Sequence, residues 1–183
     1  MIRYRRMSEL ISPPDPVPAT PTAPDDVEAF KQAFRRLAAG VSAITARTPD
    51  GRPVGFTATS LASLAATPPL ATFNMARVSS AWPAIENTEH VAIHILGSRN
   101  RSLAQKLSGP REERFVGDHW APGPHELPVL KDVPAWMVGR IVERVKVHGN
   151  AVIVVQIESG GLGAEDEGLL YHERRYFAPG STL

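Results

Sequence analysis

Residues 55–64 read GFTATSLASL. The run looks like a strand, yet Thr57, Ala58, Thr59 and Ser60 carry only hydroxyls and methyls where strands usually carry bulk. Side chains that small let a flat partner approach the backbone. Main-chain N–H groups from Thr57 to Ser60 then become donors for the carbonyl and ring-nitrogen edge of a planar heterocycle. Further along, ARVSSAW places Arg77, Ser79 and Ser80 at a helix start. A cation, hydroxyls and free N–H groups at such a point favour an anion such as phosphate. A flat, polar-edged groove followed by a phosphate seat describes flavin mononucleotide. Plainer readings stand beside this one. Thr-Ala-Thr-Ser is also an ordinary weak strand, and Ser-Ser before a helix is also an ordinary cap.

Other chemistries find less support. The 183 residues include no cysteine, which excludes disulfides, thiolate catalysis and Cys-ligated metal. No Ser–His–Asp or paired-carboxylate constellation is evident, but a flavin carries its own chemistry, so an enzyme remains open. GGLGAEDEG holds Gly161 and Gly163 without a third glycine in register, so it reads as a loop and not a dinucleotide fingerprint. Of six histidines, His90 and His94 are four apart in a strand-like run, and His119 and His125 fall in a proline-rich loop. None has the spacing of a zinc or iron site, so no metal is expected. Trp120 and Trp136 read as core or interface residues.

Composition bounds the class. Hydrophobic residues make up 43% and charged residues 21%, ordinary values for a globular chain whose length suits one domain. A net charge of +1 argues for neither a nucleic-acid nor a membrane surface. No apolar run reaches the ~20 residues of a membrane helix. The basic start MIRYRRMSEL is not followed by an apolar stretch, so a cytoplasmic protein without a signal peptide is expected.

The elements that must position the groove follow in order. SPPDPVPATPTAP marks residues 1–24 as a flexible or draped arm, because proline removes donors and fixes φ. A helix is expected from Asp25 or Asp26, with Val27, Phe30, Phe34, Leu37 and Ala38 on one face and Gly40 just past its end. Two strands should flank a turn at Pro49–Asp50–Gly51. LATFNMA reads as a strand. SSAWPAIE reads as a short helix capped by Ser79 or Ser80, with Pro83 in its first turn. HVAIHIL reads as a strand, and SRNRSLAQKLSG as a helix between Ser98 and Gly109. VGDHWAPGPHELP reads as loop. AWMVGRIVERVKV and AVIVVQIES should be two long strands joined around His148–Gly149–Asn150, and GLLYHERRYF a final strand. Strands with helices inserted, and no βαβ alternation, imply a mainly β (α+β) antiparallel barrel with peripheral helices over residues 25–178, followed by a tail over 179–183.

In that order, residues 34–41, GFTATS, Pro68–Pro69–Leu70, ARVSSAW, HVAIHIL, RFVGDHW and GLLYHERRYF resemble the motifs of the flavin reductase-like, FMN-binding split-barrel family, the short-chain reductase components of two-component monooxygenases. The resemblance spans roughly residues 27–178. It implies a homodimeric split barrel that binds FMN, with FAD also admitted, and takes NADH or NADPH as hydride donor. It further implies that Phe56 to Ser60 line the ring and ribityl chain, with Asn74, Met75 and Ala76 beside them. Arg77, Ser79 and Ser80 would face the phosphate, Trp82 would pack beneath, and Phe115 would approach from the side. Where the family often has Gly-Asp-His in the long hairpin, this chain has His148–Gly149–Asn150. His148 and Asn150 would then meet the nicotinamide, with His172, Arg174 and Tyr176 along the same cleft. His94 replaces a frequent asparagine, and Arg174 replaces a glycine. The expected activity is NAD(P)H:flavin oxidoreductase, supplying reduced flavin to a monooxygenase. A flavin-binding carrier, sensor or electron shuttle without turnover is the alternative that the displaced histidine suggests. An oxidase on the same barrel, or one using haem or a deazaflavin, is a third.

Overall fold

The computed structural model describes residues 26–180, so the expected proline-rich arm and the end of the tail lie outside the described residues. The chain divides into two units, residues 1–34 and 35–183. The first contributes nearly all of helix α1 (Asp26–Arg35), in which the rings of Phe30 and Phe34 lie 4.6 Å apart. The helix is shorter than its apolar periodicity implies. Gly40 does not follow its end; it lies in the two-residue strand β1 (Ala39–Gly40), paired with β11 (Leu170–His172). Small residues suit either state, and pairing with a distant strand decides it.

The second unit is built on a seven-stranded antiparallel sheet in the order β3-β2-β6-β9-β10-β5-β4. Its strands are β2 (Ser42–Arg47), β3 (Pro53–Ala58), β4 (Ala62–Ala66), β5 (Pro69–Ala76), β6 (His90–Ile95), β9 (Ala135–Val147) and β10 (Asn150–Leu162). The turn between β2 and β3 forms at Pro49–Asp50–Gly51, with Gly51 at φ +83° and its N–H donating to the Thr48 carbonyl at 2.8 Å. The single strand expected over residues 55–64 breaks after Ala58, and its far end belongs to a separate strand, β4, because no bulky side chain carries the ladder through Thr59 and Ser60. The two long strands pair over most of their length, with register shifts at Val154/Val155 and Ile157/Ser159. Only the last part of GGLGAEDEG is loop; Gly160, Gly161 and Leu162 belong to β10.

The sheet rolls over on itself. Four strands lie between β3 and β5 in the pairing order. Even so, the rings of Phe56 and Phe73 lie 6.1 Å apart, and the Asn74 N–H donates to Ser60 Oγ at 2.9 Å. Phe73, Ile44, Ile93 and Ile153 are fully buried inside the roll, with Trp82 and Ile85 of helix α2 (Trp82–Asn87) closing it. Burial of each such side chain contributes roughly 1.5–3 kcal/mol. β2 shows why its sequence alternates small and large. Ile44 and Ala46 join that core, while Ala43 joins a second one with Val41, Leu96, Leu107 and Leu130. The second core lies against helix α3 (Arg101–Ser108).

Several boundaries differ from the sequence reading. Residue 81 occupies the N-cap of α2 and no side chain caps it there, although Ser79 Oγ accepts the Ala81 N–H at 3.3 Å. Ser98 begins a 3-10 turn ahead of α3 and donates its hydroxyl to Asp166 at 2.8 Å. The loop after α3 holds a small hairpin, β7 (Trp120–Pro122) with β8 (Pro128–Leu130). The expected final strand is a hairpin, β11 with β12 (Arg175–Phe177), turned by Glu173 and Arg174 at φ +47° and +64°. Non-glycine residues there gave no turn signal. Among the described residues, no helix is long and apolar enough to cross a membrane.

Candidate functional site

β3 is an edge strand, so half of its backbone has no strand partner. Which half follows from one contact: Arg114 Nη1 donates to the Gly55 carbonyl at 2.9 Å, so that carbonyl points away from β2. In an antiparallel pair, the N–H and C=O of one residue face the same way and alternate along the strand. Thr57 therefore also turns both groups to the open edge. Ala58 faces β2, opposite Ser42, and its side chain is buried. Thr59 lies past the strand end and is exposed. Of the strand residues expected to offer a donor, Thr57 does.

Beside this edge lies an open cavity of about 370 Å³, lined by Phe56, Thr57, Asn74, Met75, Ala76 and Ser79. These six come from β3, β5 and the turn after β5, all singled out in the sequence. Ser60 reaches the site indirectly: its Oγ accepts the Asn74 N–H, which fixes β5 against the exit of β3. Ser80 lies next door in a crevice of about 10 Å³ shared with Gly55, Arg111, Arg114 and Phe115.

Gly55 explains part of the bareness of this strand. A Cβ there would stand 2.9 Å from Phe115 Cζ and 3.0 Å from the Ile44 carbonyl oxygen. The glycine thus admits Phe115. The loop carrying Phe115 is knitted to itself: Trp120 Nε1 donates to the Phe115 carbonyl at 3.0 Å, and His119 Nε2 meets the Arg114 carbonyl at 2.8 Å. Phe115 and Trp120 meet edge to face at 5.7 Å. Burial holds the pKa of His119 below the usual histidine range.

The cationic side of the site is richer than the sequence suggested. Arg77 Nη1 donates to the His148 carbonyl at 3.1 Å, and its guanidinium lies 5.6 Å over the ring of the buried Trp82. Arg114 lines the cavity, and Ser108 of α3 joins it. Burial lowers the pKa of Arg114 from its ordinary value, and the neighbouring Arg111 charge lowers it further. Two guanidiniums that repel each other beside a polar cavity favour an anion. Arg111, Arg114 and Ser108 were missed; the only sequence signal was the charged run REER beside Phe115.

The nicotinamide candidates separate into two groups. His148, at φ +49°, and Asn150 form the exposed tip of the β9–β10 hairpin, with Asn150 opposite Ala76 in the ladder. Asn150 is thus paired with a lining residue, although neither it nor His148 is itself in the lining. His172 and Tyr176 lie on the separate β1-β11-β12 sheet and Arg174 in the turn between β11 and β12, and none of them lines this cavity. His172 Nε2 meets the Arg36 carbonyl at 3.1 Å, and the Tyr176 ring lies 5.2 Å from Tyr171. His94 is wholly buried, its Nδ1 against the Ala43 carbonyl at 3.2 Å and its Nε2 accepting the Leu130 N–H at 3.0 Å.

The features fit an FMN-sized group. The volume falls in the ~300–1,000 Å³ range of small-molecule sites. The Thr57 backbone turns to it, Arg114 lines it, and Arg111 lies in the adjoining crevice. Residues 34–180 match the family model described as flavin reductase like domain. An NADH:FMN oxidoreductase from Rhodococcus qingshengii is 35% identical over 155 residues, covering 82% of this chain and 80% of that protein. The reductase component of a flavin-dependent trigonelline monooxygenase from Acinetobacter baylyi is 28% identical over 160 residues, or 87% of this chain and 51% of that protein. A crystal structure of a flavin reductase domain protein from Arthrobacter sp. FB24 matches with a TM-score of 0.82 at 50% identity, over 84% of this chain and 96% of that one.

Proposed function

The chain belongs to the flavin reductase like domain family, and from that premise we propose that it is an NAD(P)H:flavin oxidoreductase with its FMN site at the open edge of β3. One observation supports the placement: the Thr57 backbone at the open edge, the lining run from Asn74 to Ser79 and the Arg111–Arg114 cations converge from three separate segments. The Rhodococcus relative supports FMN and NADH as the pair; FAD and NADPH are the alternatives that the same site admits.

When bound, the flavin supplies the ring that accepts hydride from the nicotinamide. The chain binds, orients and shields. Thr57 presents its N–H to the ring edge, with Phe56, Asn74, Met75 and Ala76 along the ring and ribityl chain. Ser79, Ser80 and the arginines hold the phosphate, and Phe115 walls one side. His148 and Asn150 meet the carboxamide from the hairpin tip, where the Asn150 amide can donate and accept. Holding both reactants in line supplies much of the rate.

The rolled sheet is read as one half of a split-barrel homodimer. An apolar groove of about 440 Å³ beside the edge strand β4, lined by Leu61, Leu70, Ile95, Met137 and Ile157, suits a second copy. Dimerisation would bring the partner's β11–β12 hairpin, with His172, Arg174 and Tyr176, over the nicotinamide cleft. The Acinetobacter relative supports a monooxygenase as recipient of the reduced flavin, in the cytoplasm where nicotinamide is supplied.

The test is steady-state oxidation of NADH and NADPH with FMN, FAD or riboflavin added. Turnover with at least one pair is expected. Flat traces with every pair, despite tight flavin binding, would leave the carrier reading in its place.

A further inference from the structure

Away from the flavin site, three side chains distant in sequence converge. His90 Nε2 lies 3.3 Å from Glu158 Oε2, and His125 Nε2 lies 3.7 Å from the same oxygen. Their ligand atoms all fall within 4.8 Å of one another, and among the described residues this is the only such group of three. None of the three lines the cavity beside β3. We propose that His90, His125 and Glu158 bind a late first-row divalent cation of the zinc class, independently of the flavin reading.

Four features support a built site. The first is spacing. Zinc bonds to nitrogen and oxygen of ~2.0–2.2 Å in a tetrahedron set ligand atoms ~3.3–3.6 Å apart, close to both distances to Glu158. The second is donor type: two imidazoles and one carboxylate are the borderline ligands that zinc and its neighbours take, and three protein ligands leave a position for water. The third is orientation of the carboxylate. Arg140 Nε lies 3.4 Å from Glu158 Oε1, which leaves Oε2 facing the two rings. Such an outer partner is the usual means of aiming a ligand. The fourth is backbone. Glu158 falls in the register shift between Ile157 and Ser159, so the β10 ladder does not dictate its direction.

His125 is placed at some cost. It sits at φ +54°, followed by Glu126 at +56°, in the left-handed region that non-glycine residues seldom adopt. The surroundings hold that loop: Leu127 is 2% exposed, packed with Ala92 and Val138. The Gly123 N–H donates to the Leu127 carbonyl at 2.9 Å, and Arg47 Nε donates to the Glu126 carbonyl. The result stacks the His125 ring on His90 at 3.7 Å with 12° between planes. Both ring nitrogens then face one carboxylate oxygen, and an ion entering between them splays the rings.

The test uses untagged protein stripped with a chelator. Zinc is titrated in competition with a chromophoric chelator, for wild type and for His90→Ala, His125→Asn and Glu158→Gln. Wild type should take up one tight equivalent, and each variant should bind more than ~100-fold more weakly, beyond the ~10–100-fold that loss of an outer partner costs. His125 is an exposed loop residue, so that variant keeps the fold even if His90→Ala does not. Cobalt should give the visible bands of a low-coordinate site in wild type, and those bands should vanish in His125→Asn. Uptake unchanged in His125→Asn and Glu158→Gln, or no tight equivalent in wild type, overturns the proposal.

Discussion

Stability should fall in mild acid because of one residue, His94. It is wholly buried, its Nδ1 is bound to the Ala43 carbonyl and its Nε2 accepts the Leu130 N–H, so the ring must be neutral. Burial lowers its pKa from the usual 6.5 to about 4, against a smaller opposing effect of the Ala43 contact. Below 6.5 the unfolded chain takes up a proton that the folded chain refuses. Stability is therefore full above that value and drains away as the pH falls towards about 4. At ~1.4 kcal/mol for each pH step, the whole window is worth about 3 kcal/mol. The assay is urea unfolding followed by circular dichroism across this window, for wild type and His94→Gln. At neutral pH the variant should be less stable by roughly 1–3 kcal/mol, because the buried Ala43 and Leu130 groups lose a well-fitted partner. The gap should close as the pH falls, since the variant has no proton to gain there. A gap that stays constant from neutral pH to the acid end refutes the reasoning.

Three further outcomes are expected. Arg77→Ala should weaken FMN by roughly 1–3 kcal/mol and riboflavin much less, measured by fluorescence titration, since only FMN carries the phosphate; equal losses would place Arg77 elsewhere. Gly55→Ala should displace Phe115, whose Cζ lies 2.9 Å from the new methyl, and raise the Kd for both flavins while the protein stays folded. Gly139→Ala should cost roughly 1–3 kcal/mol of stability in the same unfolding assay, because its methyl meets Val155 Cγ1 at 2.7 Å and the Gln156 backbone; a wild-type midpoint would show that β9 and β10 can part there.

The strands with strong alternation, β9 and β10, were plain in the sequence, as was the Pro49–Asp50–Gly51 turn. What escaped was structure carried by small or polar residues. The break after Ala58 that splits the GFTATSLASL run into β3 and the edge strand β4 left no signal, and Glu173–Arg174 turns a hairpin without glycine. Of the cavity lining, Thr57 and Ser79 were legible from local residue types, and Phe56, Asn74, Met75 and Ala76 only through the family resemblance. Arg111 and Arg114 were not, because only the fold brings the loop after α3 to Gly55. The His90–His125–Glu158 group was invisible for the same reason: it depends on a register shift in β10 and a left-handed loop, and the spacing of the histidines reports neither.

The proposed site sets a flavin ring against the unpaired backbone of Thr57, and amide hydrogen exchange reads that contact directly. With FMN bound, the Thr57 N–H should slow by at least ~10-fold while the Gly51 N–H, held in its turn by the Thr48 carbonyl, stays unchanged. Unaltered exchange at Thr57 under saturating FMN would contradict the placement, whatever the enzyme's turnover.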